Sequence, residues 1–199
     1  MKTFCIEGEI EAGVDEAGRG PLFGRVYAAA VILNPDIKYN SNLIKDSKKL
    51  SKNKLLISES YVKSIAMDWY VAYSTEQRID EINILHATQE AMHKAIDGLN
   101  IKPGFLLIDG NYFKPYKDIQ CNCVIGGDDS YFSIAAASIL AKTARDKYIE
   151  ELCQANPELN EKYSIGTNKG YGAAKHIQGI KQYGISEWHR KTFGICKNY

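Results

Sequence analysis

Four acidic residues stand at points where this chain changes direction: Asp15 and Glu16 close an apolar stretch, Asp109 follows Phe105-Leu-Leu-Ile108, and Asp128 follows Gly126-Gly127. Carboxylates gathered in one place repel one another, so a cluster of them is stable only when protonated or bridged by cations. Oxygen-only ligands of this kind favour hard Mg²⁺ or Mn²⁺ over zinc. Taken singly, Asp109 and Asp128 read as ordinary turn or cap residues, because Asp-Gly and Gly-Asp pairs are common turn chemistry. Their chemistry depends on what stands beside them. The histidines His86, His93, His176 and His189 show no His-x-x-x-His spacing and read as structural. No Gly-x-x-x-x-Gly-Lys-Ser/Thr loop occurs, so a nucleotide-binding reading has no support.

The elements that must position these residues are legible from pattern. A first strand runs up to Val14-Asp15, and the apolar stretch Val26 to Leu33 forms a second strand bounded by Asn34-Pro35. Ser51 is placed to cap a helix through about Lys63, followed by a third strand, Met67 to Tyr73, and a helix from Ile79 to Asp97 that stops at Gly98. Phe105 to Ile108, short and wholly apolar, has the signature of a buried central strand with Asp109 at its exit. Ile119 to Ile125 is a further strand. A long helix is expected from Ser130 to about Cys153, with Asp128, Asp129 or Ser130 as its cap and Ala135-Ala-Ala-Ser138 as a patch small enough for close approach to a sheet. A Gly-rich loop from Gly166 to Gly172, a short helix ending before Gly184 and a last one near Trp188 complete the chain. This order predicts an α/β fold with a mixed sheet and helical coverage. If the first and central strands are neighbours, the four carboxylates converge at one end of the sheet. Neighbouring strand residues point to opposite faces, so the chain is expected to bend at Asp15-Glu16, with Gly13, Gly18 and Gly20 supplying the freedom.

Composition bounds the partners. The 199 residues, 45% hydrophobic, suffice for one domain with a single core. Net charge is only +1, yet from Lys142 onward ten Lys or Arg face six Asp or Glu, while the preceding stretch is net acidic. An acidic part joined to a basic part suits a site that holds both cations and a phosphate backbone. Five cysteines without a Cys-x-x-Cys pair argue against a disulfide framework or a zinc site and fit a reducing cytoplasm; Cys121 and Cys123 read as half-buried small hydrophobes. The N-terminus reaches acidic residues too early for a signal-peptide core, and no apolar run approaches the length of a membrane span. A cytoplasmic monomer with no membrane partner is expected.

Six strings bring a family into view: Gly13-Val-Asp-Glu-Ala-Gly-Arg-Gly-Pro21, Asp46-Ser-Lys-Lys-Leu-Ser51, Ile82-Asn-Ile-Leu-His-Ala-Thr88, Leu107-Ile-Asp-Gly-Asn111, Ala136-Ala-Ser-Ile-Leu-Ala-Lys142 and His189-Arg-Lys-Thr-Phe193. In this order they resemble ribonuclease HII from about residue 12 to the end. The resemblance implies a ribonuclease H-like mixed β-sheet flanked by helices over about residues 1–155, with a small C-terminal helical extension for substrate binding over about 156–199. It places the family's metal-binding catalytic carboxylates on Asp15, Glu16, Asp109 and Asp128. Asp129 competes for the last place, and Asp128 is preferred for its spacing to Ile134 and the Ala-Ala-Ser run. The Gly-Arg-Gly turn falls on Gly18, Arg19 and Gly20, where backbone amides can approach a sugar and phosphate and Arg19 adds a charged donor. Tyr171, in Lys169-Gly-Tyr-Gly172, resembles the tyrosine that packs at the junction between ribo- and deoxyribonucleotide, offering a ring and a hydroxyl beside a 2′-OH. Many family members carry His where this chain has Asn168, which weakens any role for a histidine there. Lys48, Lys49 and Lys142 are candidates to touch the nucleic-acid backbone, solvated surface lysine being the plain alternative; Asp146, mid-helix among basic residues, reads as an ion-pair partner.

The activity so implied is endonucleolytic cleavage of the RNA strand of RNA/DNA hybrids, and of duplex DNA containing ribonucleotides on the 5′ side of the last ribonucleotide. Cleavage would proceed by two-metal hydrolysis with Mg²⁺ or Mn²⁺, leaving 5′-phosphate and 3′-hydroxyl ends. Asp15 is the expected ligand shared between the two ions. Ribonuclease HIII, which usually has a longer N-terminal substrate-binding domain, and a catalytically silent hybrid-binding module are the alternatives. The ending Ile195-Cys-Lys-Asn-Tyr199 is too unspecific to name a sliding clamp as partner.

Overall fold

Eight consecutive apolar residues from Val26 to Leu33 belong in a strand covered on both faces, and all eight are buried. The computed structural model describes every residue of the chain except Pro35, Asp46, Lys48 and Lys49, so the expectations for Lys48 and Lys49 lie outside the described residues. Five strands form one sheet in the order β3-β2-β1-β4-β5, namely β1 (Glu11–Ala17), β2 (Val26–Leu33), β3 (Ala66–Ser74), β4 (Phe105–Asp109) and β5 (Gln120–Val124). β2 runs antiparallel to both β1 and β3, whereas β4 pairs in parallel with β1 and β5 in parallel with β4, which makes the sheet mixed. The first and central strands are therefore adjacent, as convergence of the carboxylates requires.

Helices cover both faces. Helix α2 (Glu76–Asp97) buries Ala91, Met92, Ala95 and Ile96 against Ala12, Val14, Ala28, Ala30, Leu106 and Ile108. On the opposite face, α1 (Lys52–Ile65) and the long α4 (Phe132–Ala155) pack on Ala29, Val31 and Leu33 through Leu55, Val62, Ala135, Ala136 and Ala137. The small-residue patch lets α4 approach as anticipated. A Cβ at Gly13 would overlap the backbone of Ser133 and Ile134, so this glycine serves close packing rather than a bend.

Several boundaries differ from expectation for local reasons. Asp128 does not cap the long helix; it lies within a separate short helix, α3 (Gly127–Ser130), and the extended Tyr131 (φ −128°, ψ 134°) divides α3 from α4. Helix α2 begins three residues early because the Thr75 side chain accepts from the Arg78 amide at 3.2 Å. It is broken at Asn83 (φ 66°, ψ 166°), whose side chain accepts from the His86 amide and restarts the helix. Beyond α4 come α5 (Glu158–Tyr163), α6 (Ile165–Asn168), α7 (Ala174–Tyr183) and a 3₁₀ turn, Gly194–Asn198. No helix forms at Trp188, because the backbone there pairs with the loop after β1: the Gly24 amide donates to the Trp188 carbonyl and the Arg190 amide to the Leu22 carbonyl. This C-terminal part shares a core with that loop, in which Phe23 packs among Ile149, Leu159, Tyr163, Ile165 and Ile180. No helix among the described residues is long and apolar enough to cross a membrane.

Candidate active site

Parallel pairing of β1 with β4 ends at Val14 opposite Ile108, which sets Asp15 and Asp109 side by side one residue further on. Asp15 follows Gly13 by two residues and Asp109 follows Leu107 by two, so both carboxylates rise from the face covered by α4. Glu16 belongs to the other face, yet Asp15, Glu16 and Asp109 all line one cavity of about 230 Å³. The expected bend at this pair is absent. β1 stays paired with β2 as far as Ala17, opposite Tyr27, and the chain turns only at Gly18 (φ +97°). Glu16 reaches the cavity because β1 outruns β4 there, leaving its β4 edge open.

Asp15 is the buried member, 4% exposed. Burial first, and then the nearby Glu16 and Asp109 carboxylates, hold its pKa well above the usual range; the Ser138 hydroxyl and the Glu16 amide, which donates to Oδ1 at 2.7 Å, oppose that shift. Asp109 Oδ1 accepts from the Gly127 amide at 2.8 Å, which ties the exit of β4 to the start of α3. Asp128, next in sequence, is buried in the first turn of α3 but is not among the residues lining the cavity, while Asp129 is exposed. Among the described residues no three His, Cys, Asp or Glu side chains are already closed into a metal-holding group. In kind the donors suit a hard divalent cation: they are oxygens, mutually repelling, and one is buried at an energetic cost that a cation would relieve.

The Gly-Arg-Gly turn forms the next wall. A Cβ at Gly18 would overlap Nε and Cδ of Arg145, and one at Gly20 would sit 3.5 Å from the Tyr171 ring. Arg19 extends into solvent, with Nη1 3.4 Å from Glu16 Oε1. Tyr171, half exposed, lines the same cavity from the C-terminal part. From α4 come Ser138, Lys142 and Arg145. Lys142 Nζ lies 2.7 Å from Asp146 Oδ1, which makes Asp146 the ion-pair partner its position suggested. Asn168 does not face the cavity with a free amide: Nδ2 donates to the Tyr163 carbonyl at 2.7 Å and Oδ1 accepts from the Gly170 amide at 2.8 Å. It thereby fixes the left-handed pair Lys169 (φ 53°) and Gly170 (φ 82°) that precedes Tyr171.

Two arginines were missed by sequence reasoning. Arg190 is fully buried, and its guanidinium donates to four carbonyls of one loop: Gly18 at 2.6 Å, Arg19 at 2.9 Å, Pro21 at 2.8 Å and Gly24 at 2.8 Å. Arg145, also buried, donates to the carbonyls of Lys169 at 2.8 Å and Phe23 at 3.4 Å, bridging the turn and the segment that carries Tyr171. Burial, with Arg145 nearby, pushes Arg190 down to about 9, still charged at neutral pH. Periodicity could have revealed Arg145, which falls seven residues after Ser138 and four before Ile149 on the buried stripe of α4. Arg190 stood inside a motif string without a signal of its own.

The ribonuclease HII family profile matches residues 12–196. The chain is 50% identical to ribonuclease HII of Phocaeicola vulgatus over 186 residues, covering 94% of this chain and 90% of that one. It is 49% identical to ribonuclease HII of Pelagibacter ubique over 185 residues, 93% and 96% of the two chains. The crystal structure of ribonuclease H2 from Pyrococcus horikoshii superposes with a TM-score of 0.76 at 28% identity, covering 94% of this chain and 95% of that one. With the profile spanning nearly the whole chain and half the residues shared with curated relatives along their length, the chain belongs to the ribonuclease HII family.

Proposed function

We propose that this endoribonuclease cuts the RNA strand of RNA/DNA hybrids and cuts duplex DNA on the 5′ side of an embedded ribonucleotide, leaving 5′-phosphate and 3′-hydroxyl ends. The observation that carries the reading is the meeting of Asp15, Glu16 and Asp109 in one cavity walled by the Gly18–Gly20 turn and Tyr171. Asp15, Glu16 and Asp109, with Asp128 from the neighbouring α3, would hold Mg²⁺ or Mn²⁺, Asp15 being the candidate for a ligand common to two ions. Bound there, the ions would acidify a water and offset the charge of the departing oxygen. The protein's own residues do the rest. Backbone amides of the Gly-Arg-Gly turn meet the ribose and its phosphate, the Tyr171 ring lies against the neighbouring sugar, and Arg19 and Lys142 neutralise the phosphate backbone. Recognition through the 2′-OH and hybrid shape, rather than base edges, leaves little sequence preference. A DNA duplex carrying one ribonucleotide, incubated with Mg²⁺, with Mn²⁺ and with chelator, tests the proposal. Metal-dependent cleavage 5′ of the ribonucleotide is expected, and a duplex bound but uncut with either ion would reduce the protein to a binding module.

A further inference from the structure

Away from the carboxylates, two imidazoles meet inside the C-terminal part. His176 on α7 and His189 are both fully buried, and their Nε2 atoms lie 3.0 Å apart. The partners of the outer nitrogens determine where the protons are. The Ser186 amide can only donate, and it lies 2.9 Å from His189 Nδ1, so that nitrogen is bare and His189 carries its proton on Nε2. The Tyr171 carbonyl can only accept, and it lies 2.8 Å from His176 Nδ1, so His176 carries its proton there and offers Nε2 as acceptor. The two assignments agree at the centre, where His189 Nε2–H donates to His176 Nε2. Three hydrogen bonds thus run in one direction, from the Ser186 amide to the Tyr171 carbonyl. An added proton is poorly placed: on His176 Nε2 it would face an N–H, and on His189 Nδ1, which accepts from the Ser186 amide and has the Ser186 hydroxyl 2.8 Å away, it would face that amide and leave the hydroxyl as its one acceptor. The surroundings agree, since Phe23 and Tyr163 pack against the rings and the Tyr163 hydroxyl is turned to the Gly184 carbonyl. Among the described residues neither ring pairs with a carboxylate, and the adjoining Arg190 guanidinium is spent on the carbonyls of the turn.

The relay ends on Tyr171, which faces Gly20, while Arg190, the residue after His189, grips Gly18, Arg19, Pro21 and Gly24. The dipeptide His189-Arg190 therefore holds both walls of the ribose-binding side of the cavity. We infer that His176 and His189 are positioning residues, two neutral rings of opposite tautomer that set Tyr171 against the Gly-Arg-Gly turn and so set discrimination at the ribose. The inference rests on the reading that Tyr171 touches substrate.

Two measurements on the full chain test it. In long-range ¹⁵N spectra of histidine-labelled protein, with peaks assigned by their loss in His176→Asn and His189→Asn, His176 should appear as the Nδ1–H form and His189 as the Nε2–H form. Neither should titrate near pH 6.5; matching tautomers, or titration there, would overturn the relay, and this reading is made on the parent protein, the two Asn variants serving only to assign the peaks. In cleavage of a DNA duplex with one ribonucleotide, His176→Phe keeps a ring but removes the donor and should lower kcat/KM about tenfold, the worth of one hydrogen bond. His176→Asn, which can still donate to the Tyr171 carbonyl, should recover most of that loss. Combined with Tyr171→Ala, His176→Phe should add nothing further. Full additivity beside an impaired Tyr171→Ala overturns the positioning role alone, whereas an unimpaired Tyr171→Ala overturns the reading of Tyr171 and the inference with it.

Discussion

Replacing Arg190 by methionine isolates what one buried guanidinium contributes to the turn beside the carboxylates. Of its four carbonyl partners, Pro21 and Gly24 are bonded in fully buried surroundings and Gly18 and Arg19 in part-buried ones. Water can reach the latter pair, so they weigh little. Each buried carbonyl left unpaired costs about 1–3 kcal/mol, or about 2–6 kcal/mol for the two. Methionine recovers part of the penalty of burying a cation, which lowers the expected loss to about 2–4 kcal/mol. In a domain of this size 1 kcal/mol moves the melting midpoint by about 2–4 °C, so a fall of about 4–16 °C is expected. Circular dichroism melts of metal-free protein measure it, with Arg190→Lys, which keeps the charge but not the four-way geometry, falling between the two. Cleavage at a temperature where both proteins are folded should also drop, since Gly18 and Arg19 lose their anchor. A Met variant melting within about 2 °C of the parent would refute the bookkeeping, and parent-like cleavage would show that the turn holds its shape unaided.

Other perturbations follow from the same geometry. Asp15 has a folded-state pKa above its unfolded one, so its contribution is fully present below the unfolded value and is lost as pH rises through the folded one; Asp15→Asn should therefore stabilise the metal-free protein at pH 8 while abolishing cleavage, as melts with and without Mg²⁺ would reveal. His189, pushed down to about 3 by burial and by His176, has the opposite sign. Its stabilisation is intact above pH 6.5 and shrinks below it, by about 2 kcal/mol at pH 5, and a denaturant titration in which the parent and His189→Phe lose stability equally between pH 7 and 5 would contradict this. Asp109→Ala and Asp128→Ala should each lower kcat at least a hundredfold, of the order expected when an electrostatic contact to the reacting group is lost, and Asp129→Ala less than threefold; the reverse ranking would assign the fourth carboxylate to Asp129. Gly18→Ala forces a side chain onto φ +97° and into Arg145, and should lower the melting midpoint by about 3 °C or more, as thermal scanning can check.

How far the sequence carried depended on whether a residue's role was local. Strands β2 and β4 were legible because a continuous apolar run of strand length has few other homes. Asp109 was legible because it ends such a run. The bend expected at Asp15-Glu16 was wrong because period-2 reasoning assumes a strand flanked on both sides, whereas β1 outruns β4 and leaves Glu16 at an open edge. The boundary near Asp128 failed because Tyr131 breaks the helix for a tertiary reason: it packs with Phe105, Leu107 and Ile134. Arg190 was illegible in principle, since its partners lie elsewhere in the chain and are backbone carbonyls that carry no residue identity; the His176–His189 pair was illegible because its thirteen-residue spacing matches no local motif and its outer partners include a backbone carbonyl and amide.

Cross-chain anchoring of this sort also decides what can be cut away. Phe23 has several of its apolar neighbours, and Gly18, Arg19, Pro21 and Gly24 their shared donor Arg190, in segments beyond α4. A protein ending at Ala155 would present that loop to water with those four carbonyls without their Arg190 donor and one wall of the cavity missing, so the final helices are better regarded as the far half of the turn than as an appendage to the sheet.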